Sequence, residues 1–260
     1  MGRELSRIQA FSRRIEELTS TRSEPWRFGT VCRNDDYPGR WDSNFLRVER
    51  PVGDATAAEL AAEADRELGH LRHREIVVED DSQGARLAAG FGALGWEVDH
   101  LLYMARHRPA DREPAAHAEE LSFDQVRPLI LEINRRGHGG MSEAEAAMLV
   151  DFRRVLVRKA GARFFGARVD RKLAGSCEMY CLDGVAQIED VHTLEEHRGR
   201  GLARAFVGLA LREASAAGAD IAFLITDEND WVQQLYRKLG FDPVGHFWQF
   251  TRVPAGQAYR

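Results

Sequence analysis

Residues 196–204 read Glu196-His197-Arg198-Gly199-Arg200-Gly201-Leu202-Ala203-Arg204, and this is the most informative stretch of the chain. It follows a run of strand type, Val185 to Leu194, and begins a run of helical periodicity that starts at Leu202. Glycine lets a backbone approach an oxyanion closely, and the first turn of a helix offers unpaired N–H groups and the positive end of its dipole. The arginines and glycines at this strand-to-helix junction therefore predict a phosphate-binding loop.

The composition restricts the class of protein. The 260 residues suffice for one large or two small domains, and 44% hydrophobic with 30% charged residues is typical of soluble globular proteins. A net charge of −5 disfavours a general nucleic-acid binder, and no apolar run approaches the roughly 20 residues of a membrane span. The alternating charges of residues 1–19 predict an amphipathic helix and not a secretory signal. We expect a cytoplasmic protein that binds neither nucleic acid nor membrane.

The cysteines are few and odd in number: Cys32, Cys177 and Cys181. Such a count suits a reducing compartment and gives no disulfide framework. No second cysteine pair or histidine pair completes a zinc pattern along the sequence. We expect packed thiols and no metal.

A polar, proline-containing stretch, residues 106–120, predicts a boundary between a domain at 1–108 and another at 119–260. The second domain has a clear order of elements. Helices are predicted over Leu121–Arg135, Ser142–Arg158, Leu202–Gly218 and Trp231–Leu239, with Gly240 as the C-cap of the last. Strands are predicted over Arg163–Arg168, Leu173–Leu182, Val185–Leu194 and Ile221–Thr226, with two further pieces around Pro243–Gly245.

This order, together with the spacing Arg-x-x-Gly-x-Ala from Arg198 to Ala203, resembles the GNAT acetyltransferases. The resemblance extends to Asn229-x-x-Val232-x-x-Leu235-Tyr236-x-x-Leu239-Gly240-Phe241, with valine in place of the usual alanine. It implies the GNAT acyl-CoA N-acyltransferase fold, which is α/β (α+β in some schemes), with a mixed twisted sheet flanked by helices. It also implies acetyl-CoA as co-substrate and an amine as acceptor.

The first domain carries a faint copy of the second. Phe91-Gly92-Ala93-Leu94-Gly95-Trp96 parallels the segment from Tyr236 to Phe241, and Arg50 to Ala55 repeats the loop spacing 148 residues earlier (198 − 50). These offsets indicate two tandem GNAT-like halves, with chance similarity between short α/β segments as the alternative. Pro51 and Asp54 replace Gly199 and Leu202, and Asp54 places a carboxylate where phosphate should lie. We expect the first copy to be degenerate.

The resemblance assigns the cofactor-binding residues. The strand before the loop offers its backbone to the pantetheine arm, the loop amides take the pyrophosphate, and the arginine side chains add charge-assisted hydrogen bonds. In that family, an asparagine of the second cofactor motif hydrogen-bonds the pantetheine region. The matching positions here are Val191, His192, Thr193, Arg198, Gly199, Arg200, Gly201, Leu202, Ala203, Arg204 and Asn229.

Acyl transfer to an amine also needs a base and an acid. The candidates for the base are Glu189 and Asp190, with Glu189 at a position where relatives often place one. Strand alternation sets Gln187, Glu189 and Val191 on one face and Asp190 and His192 on the other, unless a bulge intervenes. Some relatives carry a glutamate base where this chain has Leu224. Tyr236 is the candidate acid that protonates the departing thiolate.

The predicted function is direct acetyl transfer to a primary amine of a small molecule or peptide, by a monomer or homodimer. Two alternatives remain open. One is a non-catalytic acyl-CoA-binding regulatory protein, and the other is an acyltransferase with a different donor or acceptor. His138, in the turn 137–140, is either a substrate contact or part of a flexible connection with incidental charge.

Overall fold

The computed structural model of the protein describes residues 2–137 and 142–253. The first part of the chain, through Arg106, contains three α-helices and five strands among the described residues. In chain order they are α1 Arg3–Thr19, β1 Arg22–Trp26, β2 Gly29–Arg33, β3 Phe45–Val48, α2 Ala57–Leu68, β4 Arg74–Val78, α3 Asp81–Ala93 and β5 Glu97–Arg106.

The second part begins after a stretch without helix or strand, residues 107–118, which agrees with the polar segment in the sequence. Its elements are β6 Glu119–Leu121, α4 Phe123–Gly137, α5 Glu143–Asp151, α6 Arg153–Ala160, β7 Arg163–Val169, β8 Lys172–Leu182, β9 Val185–Thr193, α7 Leu202–Ala216, β10 Ile221–Asp227, α8 Gln233–Lys238 and β11 Phe241–Arg252. A 3-10 turn, Glu195–His197, separates β9 from α7.

The two compact units of the chain each draw on both of its parts. The first unit contains the start of the chain through Phe11, Met104–Thr226 and Asp230–Val244. The second contains Ser12–Tyr103, Asp227–Asn229 and the chain from Gly245 onward. The domain ranges 1–108 and 119–260 remain a prediction.

The strands of the two units repeat one pairing pattern. In the second unit β1–β2 and β2–β3 are antiparallel and β3–β4 is parallel. In the first unit β7–β8 and β8–β9 are antiparallel and β9–β10 is parallel. The helix after each parallel strand ends alike, at Leu94–Gly95 and at Leu239–Gly240, with both glycines at positive φ. The fold is therefore the predicted α/β fold with a mixed sheet and flanking helices.

The last strand of the chain completes the second unit. In β11, Trp248 to Arg252 pair antiparallel with Val78 to Arg74 of β4. Phe250, from this strand, is fully buried in the core of that unit and stacks on Phe91 at 4.2 Å between ring centroids. A segment distant in sequence thus supplies part of this core.

Helix α7 positions the glycine loop. Its apolar face, Leu202, Phe206 and Ala210, is buried, and the helix contacts β7, β8 and β9. Burying a side chain of this kind contributes about 1.5–3 kcal/mol for the large members. The predicted helix is confirmed, and Leu209 on it is only half-buried.

Two details of the element prediction are wrong. The run Ser142–Arg158 forms two helices, α5 and α6, that meet at Phe152, and the pieces around Pro243 form the single strand β11.

Cys32 and Cys177 are buried free thiols, and Cys181 is a half-buried one. Among the described residues, no helix is both long and apolar enough to cross a membrane.

Candidate functional site

The strands β9 and β10 are paired only at their beginnings. Their parallel register runs from Val185–Ile221 to Gln187–Phe223. Beyond Gln187, no pair joins the described residues of β9 to β10, although β9 continues to Thr193 and pairs with β8 there. Backbone groups of Ile188 to Thr193 on that side therefore lack a neighbouring strand. Because unpaired backbone groups seek hydrogen bonds, this edge suits an extended ligand rich in amides.

The loop after β9 leaves a helix N-terminus open. Gly201 is the N-cap of α7, with φ 76° and ψ 12°, and Gly199 has φ 76° as well. No side chain caps this helix. Among the described residues, the N–H groups from Gly199 to Arg204 have no hydrogen-bond acceptor. Such a set of free amides at the positive end of a helix dipole is an anion site.

The three arginines of the loop differ in their surroundings. Arg198 and Arg200 are exposed, and the Arg198 Nε donates to the Thr193 carbonyl at 3.4 Å. Arg204 is buried, and its guanidinium pairs with Asp111. Only the backbone N–H of Arg204 therefore belongs to the open helix end, whereas Arg198 and Arg200 have side chains free to approach an anion.

A bulge interrupts β9 at Asp190. Glu189 lies opposite Glu178 of β8, but the next regular pair is His192–Ser176, so two residues of β9 oppose Cys177 alone. Asp190 has φ 49°, a left-handed conformation that is uncommon outside glycine. The bulge shifts the alternation, which places His192 on the same face as Glu189 and not on the opposite one.

A buried ionic network holds this bulge. Arg153 of α6 pairs with the carboxylates of Glu178 and Asp190, and the Tyr180 hydroxyl donates to Glu178 Oε2 at 2.8 Å. Glu178 is 1% exposed, so its charge depends on these partners. Desolvation and then Glu178 raise the pKa of Tyr180 well above its usual value. Desolvation and then Arg153 lower the pKa of His192.

Glu189 is the exposed carboxylate of this face. It lies in the part of β9 that pairs with β8 but not with β10, two residues after Gln187, which is buried opposite Tyr180. Both oxygens of the neighbouring Glu178 are occupied, by Arg153 and by Tyr180. Glu178 is therefore held by these partners and buried, whereas the side chain of Glu189 is exposed to solvent. Leu224 on β10 is buried and offers no carboxylate at the position where some relatives carry a glutamate base.

Tyr236 lies in α8 and is almost fully buried, with its ring edge-on to Phe241 at 6.2 Å. Desolvation, followed by the charge of Asp230, raises the pKa of its hydroxyl. The described residues provide no hydrogen-bond acceptor for that hydroxyl. Tyr236 therefore remains a protonated phenol that is able to donate. Asn229 is exposed in the turn after β10, where its N–H donates to Asp227 Oδ1 at 2.6 Å.

The related loop of the second unit is filled by its own side chains. Helix α2 begins three residues after the position that corresponds to α7, with Thr56 and Glu59 forming a capping box on its first N–H groups. Val52 N donates to Gln83 Oε1 at 2.7 Å, and Arg86 donates to the carbonyls of Gly53 and Ala55. The carboxylate at this helix end is thus Glu59 and not Asp54, the residue expected from the sequence.

The corresponding strand pair in the second unit is closed as well. Strand β3 pairs with β4 from Leu46–Ile76 to Val48–Val78, which is the end of both strands. Residues 45–78 therefore have neither an unpaired strand edge nor an open helix N-terminus. This difference supports the prediction that the copy in the first part of the chain is degenerate.

The loop and strand β9 are predictable from the sequence, whereas the ionic network of Arg153 with Glu178 and Asp190 is not among the predictions. A detectable signal was Glu178, a carboxylate within the apolar run Leu173–Leu182. Its partner Arg153 was assigned to an undivided helix. His138 lies outside the described residues, so its role stays a prediction.

Comparisons with known proteins agree with this geometry. The model of the family described as "Acetyltransferase (GNAT) family" matches residues 127–241. None of the curated proteins matches the sequence of this chain.

Solved structures resemble the chain over most of its length. One is a GCN5-related N-acetyltransferase from Kribbella flavida, with 18% identity and a TM-score of 0.64, covering 98% of this chain and 97% of that one. A tandem GNAT protein from the clavulanic acid biosynthesis pathway has 15% identity and a TM-score of 0.57, covering 95% and 88%. A functionally unknown conserved protein from Staphylococcus epidermidis has 12% identity and a TM-score of 0.67, covering 90% and 94%. At these identities the likeness concerns the fold.

Proposed function

We propose that this chain, whose residues 127–241 belong to the GNAT acetyltransferase family, is an acetyl-CoA-dependent N-acetyltransferase. The observation that carries the proposal is the unpaired edge of β9 beside the open N-terminus of α7. An extended amide-containing arm suits the first, and a pyrophosphate suits the second. The proposed acceptor is the primary amine of a small molecule or peptide, and the proposed location is the cytoplasm.

The proposed binding residues follow from these two features. The backbone of Val191, His192 and Thr193 would hydrogen-bond the pantetheine arm, with Asn229 as a further contact. The pyrophosphate would lie on the amides from Gly199 through Leu202 and Ala203 to Arg204. Arg198 and Arg200, both exposed, would add charge-assisted hydrogen bonds from either side of Gly199.

In the proposed reaction, Glu189 accepts a proton from the bound ammonium, directly or through a water. The free amine attacks the thioester carbonyl, so that a C–N bond forms and the C–S bond breaks. The Tyr236 hydroxyl gives its proton to the departing sulfur, and the second proton that the nitrogen loses as the amide forms returns to the Tyr236 phenolate through solvent. A phenol is suited to this step because a nascent thiolate develops charge only as the bond breaks. Orienting both reactants in one groove supplies much of the rate gain.

The proposal is tested by measuring free thiol released from acetyl-CoA with a panel of polyamines, amino sugars, amino acids and peptides. Thermal stabilisation by acetyl-CoA and by longer acyl-CoAs is measured in parallel. Amine-dependent thiol release supports the enzyme. Stabilisation without release with any amine would instead support an acyl-CoA-binding regulatory protein. Greater stabilisation by a longer acyl-CoA would overturn the choice of donor.

A further inference from the structure

Three metal-ligating side chains converge in the second unit. Asp81 is the first residue of α3, His100 lies on β5 and His246 lies on β11. Each offers one ligand atom, and these atoms lie within 4.8 Å of one another. All three belong to the same compact unit. Three ligand atoms at this separation can contact one ion.

Glu228 lies beside this cluster. Its Oε1 lies 3.4 Å from His246 Nε2, and its other oxygen pairs with His100 Nδ1, whereas Asp81 Oδ1 lies 2.8 Å from His100 Nε2. The Glu228 N–H donates to the His100 carbonyl at 3.0 Å, which fixes the backbone beside the cluster. The two carboxylates therefore flank opposite nitrogens of the His100 ring, and Glu228 orients the ring from the nitrogen that Asp81 does not contact.

The ligand groups are held by neighbours that do not themselves bind metals. Trp248 Nε1 donates to Asp81 Oδ1 at 2.9 Å, and the Trp248 ring stacks on His100 at 4.1 Å between centroids. Such supporting contacts orient ligands around metal ions. The rings of His100 and His246 stack at 4.7 Å with 26° between their planes, so a shared ion requires one of the rings to turn. The imidazoles are half-buried, so an ion would reach them from solvent.

We propose that Asp81, His100 and His246, with Glu228 as a supporting carboxylate, form a binding site for a divalent first-row transition metal, with Zn²⁺ as the expected ion. Mixed imidazole and carboxylate ligands suit Zn²⁺ and its neighbours, whereas Mg²⁺ and Ca²⁺ prefer oxygen ligands alone. Two carboxylates bring negative charge that an ion neutralises. A bound ion would join α3, β5 and β11, so its effect is on stability and not on acyl transfer.

Positions 81, 100 and 246 form no short-spaced pair along the sequence, so the sequence predicts no metal. Strand β11, which lies between β4 and β5 in the sheet, brings His246 to this cluster.

The site is tested on the full-length, tag-free protein after treatment with a chelator. Titration with Zn²⁺ alone, followed by calorimetry, is expected to show one equivalent bound together with a rise in Tm. Co²⁺ is expected to give the visible absorption of a nitrogen- and oxygen-ligated ion. His246→Gln and Asp81→Asn should each weaken Zn²⁺ binding by at least about tenfold. His70→Gln, at an exposed histidine outside the cluster, should bind like the unaltered protein.

Two results would overturn the proposal. One is the absence of saturable Zn²⁺ binding by the unaltered protein. The other is equal binding by the His246→Gln and His70→Gln variants. Either would leave the cluster as a histidine hydrogen-bonded between carboxylates. Melting of each variant without metal checks that it is folded, and the conservative Asp81→Asn change tests the same ligand set independently.

Discussion

Gly53 and Gly201 place the same demand on the backbone in different surroundings. Both are left-handed, with φ 57° and 76°, and both have open space where a Cβ would lie. Gly201 begins a helix whose first N–H groups are free, whereas the loop at Gly53 precedes a helix capped by Thr56 and Glu59. Substituting each glycine in turn therefore separates the effect of backbone strain from the effect on anion binding.

Gly201→Ala is expected to raise the KM for acetyl-CoA because it disturbs the proposed phosphate loop. A Cβ in a left-handed residue costs about 1–2 kcal/mol. Gly53→Ala should lose a similar free energy of unfolding in urea but keep the KM of the unaltered protein. Equal KM changes in the two variants would place the phosphate elsewhere.

Glu189→Gln is expected to lower kcat by about 10²–10⁴, the usual contribution of a general base. The KM for acetyl-CoA should stay unchanged, because the amide keeps the shape of the side chain. Steady-state thiol release with a fixed amine measures both constants. The control is Glu195→Gln, at an exposed glutamate in the 3-10 turn. Full activity of Glu189→Gln would exclude it as the base.

Tyr236→Phe is expected to lower kcat by about 10² through loss of the proton donor. Desolvation raises the pKa of this hydroxyl, so it stays protonated across ordinary assay conditions and contributes no alkaline limb to the kcat–pH profile below about pH 10. Tyr103→Phe is the matched control, since Tyr103 is also buried with a raised pKa but lies on β5. Similar kcat losses in both variants would count against the acid role.

His73 is expected to make the protein sensitive to acid. It is 1% exposed, its Nε2 lies 3.0 Å from the Asn44 carbonyl and its Nδ1 has no partner among the described residues. Burial lowers its pKa from 6.5 to about 4. Between these values the unfolded chain binds a proton that the folded chain does not, so stability falls as pH drops below 6.5, by about 2 kcal/mol at pH 5.

The measurement is urea unfolding at pH 7 and pH 5. His73→Gln should reduce the difference in unfolding free energy between the two pH values, whereas His70→Gln, at an exposed histidine, should not. If His73→Gln retains the full pH dependence, other groups cause the acid sensitivity.

Local features of this protein were predictable, and features made by distant residues were not. The glycines at 199 and 201, strand β9 and helix α7 follow from short-range periodicity and backbone preference. The bulge at Asp190 depends on Arg153, which lies 37 residues away (190 − 153) and holds Asp190 together with Glu178. A single sequence shows that Glu178 lies within an apolar run, but it does not show which cation pairs with it. The cluster around His100 is also formed by residues distant in sequence, so it could not be predicted either.

The position of β11 has a consequence for how the protein is made. Strand β4 receives its antiparallel partner from residues 248–252. During synthesis this partner leaves the ribosome 170 residues after the end of β4 (248 − 78), so residues 12–103 wait with an unpaired strand edge and without the Phe250 ring in their core. Exposed strand edges invite pairing with other chains. We therefore expect chaperones to protect this protein from aggregation mainly while β4 is synthesised and β11 is not.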